Sequence, residues 1–86
     1  MQINNWKKTS DFMILLDAIS ASEDDMVVVV GRNVSVGWFH IRLIKNIFAH
    51  RNILFISRDE RVRKILKQEG YKVSHSLQDI DRLLPE

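Results

Sequence analysis

Two short runs, Met26–Val30 (MVVVV) and Ile53–Ile56 (ILFI), constrain this chain more than anything else in it. Each is apolar at every position and rich in β-branched residues. Branching at Cβ favours extended backbone. A strand with no polar alternation is covered on both faces, as in a parallel sheet with helices packed on it.

Helix-period segments alternate with these runs. Residues 10–21 place Phe12, Leu15, Leu16 and Ile19 at i, i+3, i+4 and i+7. Thr9 or Ser10 can cap that helix. Residues 37–50 read as a second helix, with Ile41, Ile44, Ile47 and Phe48 as its stripe and Phe39 and Leu43 widening it. Ser57-Arg58-Asp59-Glu60 has the capping-box spacing and opens a third helix, with Val62, Ile65 and Leu66 facing inward. Gly70 suits its left-handed C-terminal cap. Residues 71–75 alternate apolar and polar, as an edge strand does. Ser76 is expected to cap a last helix with Leu77, Ile80, Leu83 and Leu84 inside, and Pro85 stops it.

The order expected is therefore α-β-α-β-α-β-α, an α/β fold with a small three-stranded, mainly parallel sheet. Residues 1–86 form a single domain, and residues 1–9 are an N-terminal arm or a short edge strand around Ile3 and Trp6. If the strands lie in chain order, both crossover helices fall on one face. The other face is then left to the terminal helices or to another chain.

The length limits the chemistry. A chain of 86 residues buries roughly 60–65% of its unfolded surface, which leaves little room for a deep two-lobed active site. There is no cysteine. Disulfides, thiol catalysis and Cys-based metal sites are excluded, and a reducing, cytoplasmic setting is expected. No apolar run approaches the length of a membrane span. The opening MQINNWKKTSD lacks the apolar core of a signal peptide. Charge is uneven. Residues 27–72 carry ten Lys/Arg against three acids, a surplus of seven, while the flanks are net acidic.

The loop between Gly31 and Gly37 invites a phosphate reading, and the spacing argues against it. Dinucleotide cradles need G-x-G-x-x-G, and Walker loops need Gly-Lys-Ser/Thr. Here five residues separate the glycines, and Trp38 follows the second. A receiver domain needs a phosphoacceptor Asp at a strand end, but these strands end at Gly31 and Ser57. His40, His50 and His75 have no ligand-like spacing and read as surface or half-buried side chains. No nucleophile–base set is present. The chain is expected to be no enzyme and to use no metal or cofactor.

From residue 10 onward the chain resembles the C-terminal two-thirds of a STAS domain, the fold of anti-sigma-factor antagonists. The strings that carry the resemblance are MVVVVGRNVSVGWF, RNILFIS, RDERVRKILKQEGY and SHSLQDIDRLL. The family begins with two additional strands, whereas nine residues precede the first helix here. Its switch loop typically reads Asp-Ser-Ser/Thr-Gly. Ser35 matches the first serine, Val36 stands at the phosphoacceptor position, and Val34 replaces the acid. The resemblance thus implies a docking module without the kinase switch.

The reading that follows is a non-catalytic regulatory or adaptor module acting by protein–protein interaction. Its contact residues would be Arg32, Asn33, Ser35, Trp38 and Phe39, and a homodimer is expected as well. One alternative is a nucleic-acid-binding domain using Arg58, Arg61, Lys64 and Lys67 of the basic third helix. Another is a small anion or phosphate held by the 31–37 loop at a helix N-terminus.

Overall fold

Both apolar runs form strands at the expected residues, and the computed structural model describes residues 2–75 of the chain. The elements are β1 (Gln2–Trp6), a 3-10 turn (Thr9–Asp11), α1 (Phe12–Ser20), β2 (Met26–Val30), α2 (Trp38–Ile47), β3 (Ile53–Ile56), α3 (Glu60–Gln68) and β4 (Lys72–Ser74). The sheet has four strands in the order β1-β2-β3-β4, all parallel. The α/β class and the helix–strand alternation are as expected, and the strand count is one higher.

The extra strand is the N-terminal segment QINNW, within residues 1–9, which were expected to form an arm or a short edge strand. Its polar composition hides it, because only Trp6 is fully buried. What makes it a strand is the open edge of β2. Unpaired N–H and C=O groups there need partners. β1 supplies them in register, from Gln2 opposite Met26 to Trp6 opposite Val30.

Because the strands lie in chain order, every crossover helix sits on the same face. Leu15, Leu16 and Ile19 of α1 join Ile41 and Ile44 of α2 and Leu66 of α3 in one core against the sheet. Burying each such side chain contributes on the order of 1.5–3 kcal/mol. The opposite face carries a separate buried cluster of Val27, Leu54 and Ile56, flanked by Val29. The N-terminal helix therefore does not cover that second face; β1 precedes it and turns it into a crossover. The helix expected from Ser76 through Leu77, Ile80, Leu83 and Leu84 to Pro85 lies outside the described residues.

Two element ends differ from the sequence reading. α3 is capped by Asp59, whose carboxylate accepts the Arg61 N–H at 2.9 Å. Ser57 is not the cap. It is still part of the sheet, donating its N–H to the Ser74 carbonyl at 2.9 Å, while its hydroxyl accepts the Asp59 N–H at 3.1 Å. α2 ends at Ile47, before His50. Gly70 behaves as expected. It takes φ 88°, and the Tyr71 N–H reaches back to Leu66 O at 3.0 Å, closing a Schellman motif.

At the N-terminal ends of β2 and β3, Arg51 ties the structure together. One guanidinium nitrogen donates to Ile19 O at 2.6 Å and the other to Asp24 O at 2.8 Å. This links the end of α1 and the following turn to the α2–β3 connection. Arg42 and Lys45 of α2 approach the Glu69 carboxylate at 3.6 and 3.9 Å. Pairs this exposed contribute little.

Candidate functional site

The loop after β2 is shaped by its neighbours rather than by a ligand. Gly31 donates its N–H to Trp6 O at 2.8 Å, and an added Cβ would stand 3.0 Å from that same oxygen. The glycine is needed because β1 ends there. Val34 and Val36 are buried in the core. The Ser35 N–H donates to Thr9 Oγ1 at 2.8 Å, pinning the loop to the start of α1. Arg32, Asn33 and the Ser35 side are left exposed.

Beyond the loop, α2 begins with a reciprocal contact. Gly37 has no side chain to cap with, so its carbonyl accepts the His40 N–H at 3.1 Å. His40 Nδ1 in turn accepts the Gly37 N–H at 3.0 Å. This histidine is buried, more deeply than the surface or half-buried position expected of it. Its ring packs edge-on against Trp6 and Phe12, with centroids at 5.5 and 4.7 Å. Burial lowers its pKa below the ordinary 6.5. The accepting Nδ1 fixes the neutral tautomer with its proton on Nε2. His40 is thus a helix cap and an aromatic spacer. The buried Trp6 Nε1–H has no partner among the described residues.

Trp38 and Phe39 are 60% and 57% exposed, though one side of the Phe39 ring rests on His40 with centroids 4.1 Å apart. Their rings meet edge to face at 6.2 Å, and Arg42 lies over the Trp38 ring at 5.2 Å. Leu43 and Ile47, expected as part of the buried stripe, are exposed too, at 41% and 52%. Phe39, Leu43 and Ile47 follow i, i+4, i+8 along one side of α2. Six of its ten residues are apolar, more than a helix packed on one side can bury, and that surplus was the signal. Met13 and Ile14 of α1 are also exposed. The Phe12–His40 contact brings the starts of the two helices together.

A second feature lies at the carboxyl ends of β2 and β3. There a cleft of about 600 Å³ opens over an apolar floor of Val29, Val30, Val34, Ile56 and Val62. Arg32 follows β2 and Arg58 follows β3, and both line the opening. Open α/β sheets bind ligands at this end of their strands. The basic residues therefore divide. Arg58 turns to the cleft with Arg32, while Arg61, Lys64 and Lys67 stay exposed along α3. The other proposed contact residues divide as well, since Arg32 belongs to the cleft and Trp38 and Phe39 to the ridge on α2.

Among the described residues no cluster of His, Asp and Glu could hold a metal ion, and no helix is long and apolar enough to cross a membrane. Comparisons with protein families, curated proteins and solved structures find no match. Function is therefore argued from the geometry itself.

Proposed function

We propose that this chain is a non-catalytic regulatory or adaptor module that works by docking a partner protein on α2. The observation that carries this is the ridge of Trp38, Phe39, Leu43 and Ile47, each at least 41% exposed. Small proteins rarely leave adjoining large apolar side chains in water unless something binds there. Tryptophan at the head of such a ridge is the residue type that most often anchors an interface.

The flank of the ridge defines the partner. Arg42 lies over its Trp38 end and, with Lys45, approaches the Glu69 carboxylate in exposed pairs that are open to exchange. A complementary surface would be an apolar strip bordered by carboxylates. The STAS-like strings agree with a docking role, and the absence of cysteine fits the cytoplasm.

A photo-crosslinker placed at Leu43, with a control at Lys64, tests the reading in cells. A discrete protein adduct at Leu43 is expected, lost on Trp38→Ala at unchanged melting temperature. An equal adduct at Lys64, or none at Leu43, sinks it. Sedimentation across a wide concentration range reports self-association through the same ridge.

A nucleic-acid reading rests on α3. Arg61, Lys64 and Lys67 are exposed and form no ion pair among the described residues. Binding to a generic duplex at low salt, weakening steeply as salt rises, would favour it. No measurable binding at low salt removes it.

A further inference from the structure

We propose that the cleft at the carboxyl ends of β2 and β3 binds a phosphomonoester of about nucleoside size. The proposal is independent of the ridge on α2 and can stand if that reading fails. It also differs from a phosphate cradle built on Gly31 and Gly37, because Gly31 already serves β1.

Three observations converge here. The first is the cleft itself. Its volume of about 600 Å³ lies within the range of small-molecule sites, roughly 300–1,000 Å³. The second is its floor, formed by five aliphatic side chains from three segments of the chain. Val29 is only half-buried, so part of this floor faces the opening. An apolar body, and not a bare ion, suits such a surface.

The third is the pair of arginines. Every other polar group in this corner with a described bond is committed to structure. Asp59 caps α3, Ser57 completes the sheet, and Arg63 donates to Ser57 O at 2.9 Å. Arg32 and Arg58 make no hydrogen bond or ion pair among the described residues, yet both face the cleft. The Asp59 carboxylate also lines the cleft, but it is turned to the Arg61 N–H of α3, so the attraction for an anion comes from the two guanidinium groups.

Two guanidinium forks on separate strand ends favour phosphate over carboxylate. A carboxylate has two oxygens, and a single arginine fork satisfies both. A terminal phosphate has three and carries close to two charges, so it can accept from both forks at once. The topology supplies the spacing, since β2 and β3 are neighbours in register and their carboxyl ends open side by side.

Amide chemical-shift titration with the whole protein tests this with three probes: adenosine monophosphate, inorganic phosphate and adenosine. The monophosphate is expected to give saturable shifts at Gly31, Arg32, Ser57 and Arg58. Arg32→Gln and Arg58→Gln should each weaken it by about tenfold, the factor that accompanies loss of one charged contact. Both residues are exposed, so the variants keep the fold, and their unchanged spectra elsewhere confirm it. Inorganic phosphate and adenosine should each bind at least about tenfold more weakly than the monophosphate. Several results would overturn the proposal. They are no saturation by about 10 mM, equal affinity for inorganic phosphate, shifts centred on Arg61, Lys64 and Lys67, or indifference to both glutamine variants.

Discussion

Arginines stand at both ends of this sheet and are used in opposite ways. Arg51, at the amino end, gives its guanidinium to two backbone carbonyls, Ile19 O and Asp24 O. Arg32 and Arg58, at the carboxyl end, give theirs to no described group and line an open cleft. The residue type is the same, so the difference comes from what surrounds it. In a parallel sheet the amino ends receive the C-termini of helices, where unsatisfied carbonyls need donors. The carboxyl ends release loops into helix starts, where fewer carbonyls are left over, and one of them, Ser57 O, takes Arg63. The amino end commits Arg51 to the fold, whereas the carboxyl end commits Arg63 and still has Arg32 and Arg58 to spare.

The sharpest way to break this comparison is Arg51→Ala. Two hydrogen bonds from a charged donor are lost, one to Ile19 O at the end of α1 and one to Asp24 O in the turn that follows. Stability is expected to fall by about 1.5–3 kcal/mol, read as a lower urea midpoint. A change below about 0.5 kcal/mol would mean that water replaces Arg51 without loss.

Gly31→Ala comes next and probes the carboxyl end where it is closed. The new Cβ meets the Trp6 carbonyl at 3.0 Å. Backbone cannot yield as a side-chain tip can, and a cost of about 1–2 kcal/mol is expected in thermal melts. No cost would mean that the β1–β2 corner is looser than its hydrogen bond implies.

His40 makes the same corner sensitive to pH. Its folded pKa lies below 6.5 because burial disfavours the charged ring. Above that value the ring is neutral in both folded and unfolded chains, and stability is level. As pH falls through 6.5 the unfolded chain takes up the proton first, so stability declines until the folded ring is protonated too. Equilibrium unfolding between pH 7.5 and 5 should show this decline, and His40→Ala should remove it. A rise in stability on acidification would contradict the neutral Nδ1 acceptor.

The smallest effects belong to the open cleft. Arg32→Ala and Arg58→Ala are each expected to leave stability within about 0.5 kcal/mol of the parent. A loss as large as that from Arg51 would show that these arginines also hold the fold, and the contrast between the two ends would disappear.

The sequence was legible where burial alone decides structure. β2 and β3 were found at their true boundaries because a run apolar on both faces has no other stable use. β1 was harder. Gln2-Ile3-Asn4-Asn5-Trp6 carries no strand pattern, and only the free edge of β2 turns it into one. The cap of α3 was misplaced by two residues for a related reason. Ser57 and Asp59 can both cap, and the choice rests on how far the pairing with β4 extends.

The candidate sites were legible only in part. Trp38 and Phe39 stood out as aromatics at a helix start, and both are exposed. Phe39, Leu43 and Ile47 were all assigned to the stripe of α2, Phe39 also to the contact surface, because periodicity orders apolar residues by angle without saying how many the core can take. The cleft was legible only in pieces: the 31–37 loop reads as an anion site and Arg58 as a nucleic-acid contact, with nothing in the sequence to join them. Its walls come from residues 29–34 and 56–62, and only the pairing of β2 with β3 brings them together.

The chain's two tryptophans, finally, amount to a matched pair of optical reporters. Trp6 has no exposed surface and sits among Phe12 and His40, whereas Trp38 is 60% exposed on the ridge. The first should emit in the blue and resist quenching by iodide. The second should emit in the red and be quenched freely. Unfolding would be seen through one indole and partner docking through the other, in the same cuvette and without an added label.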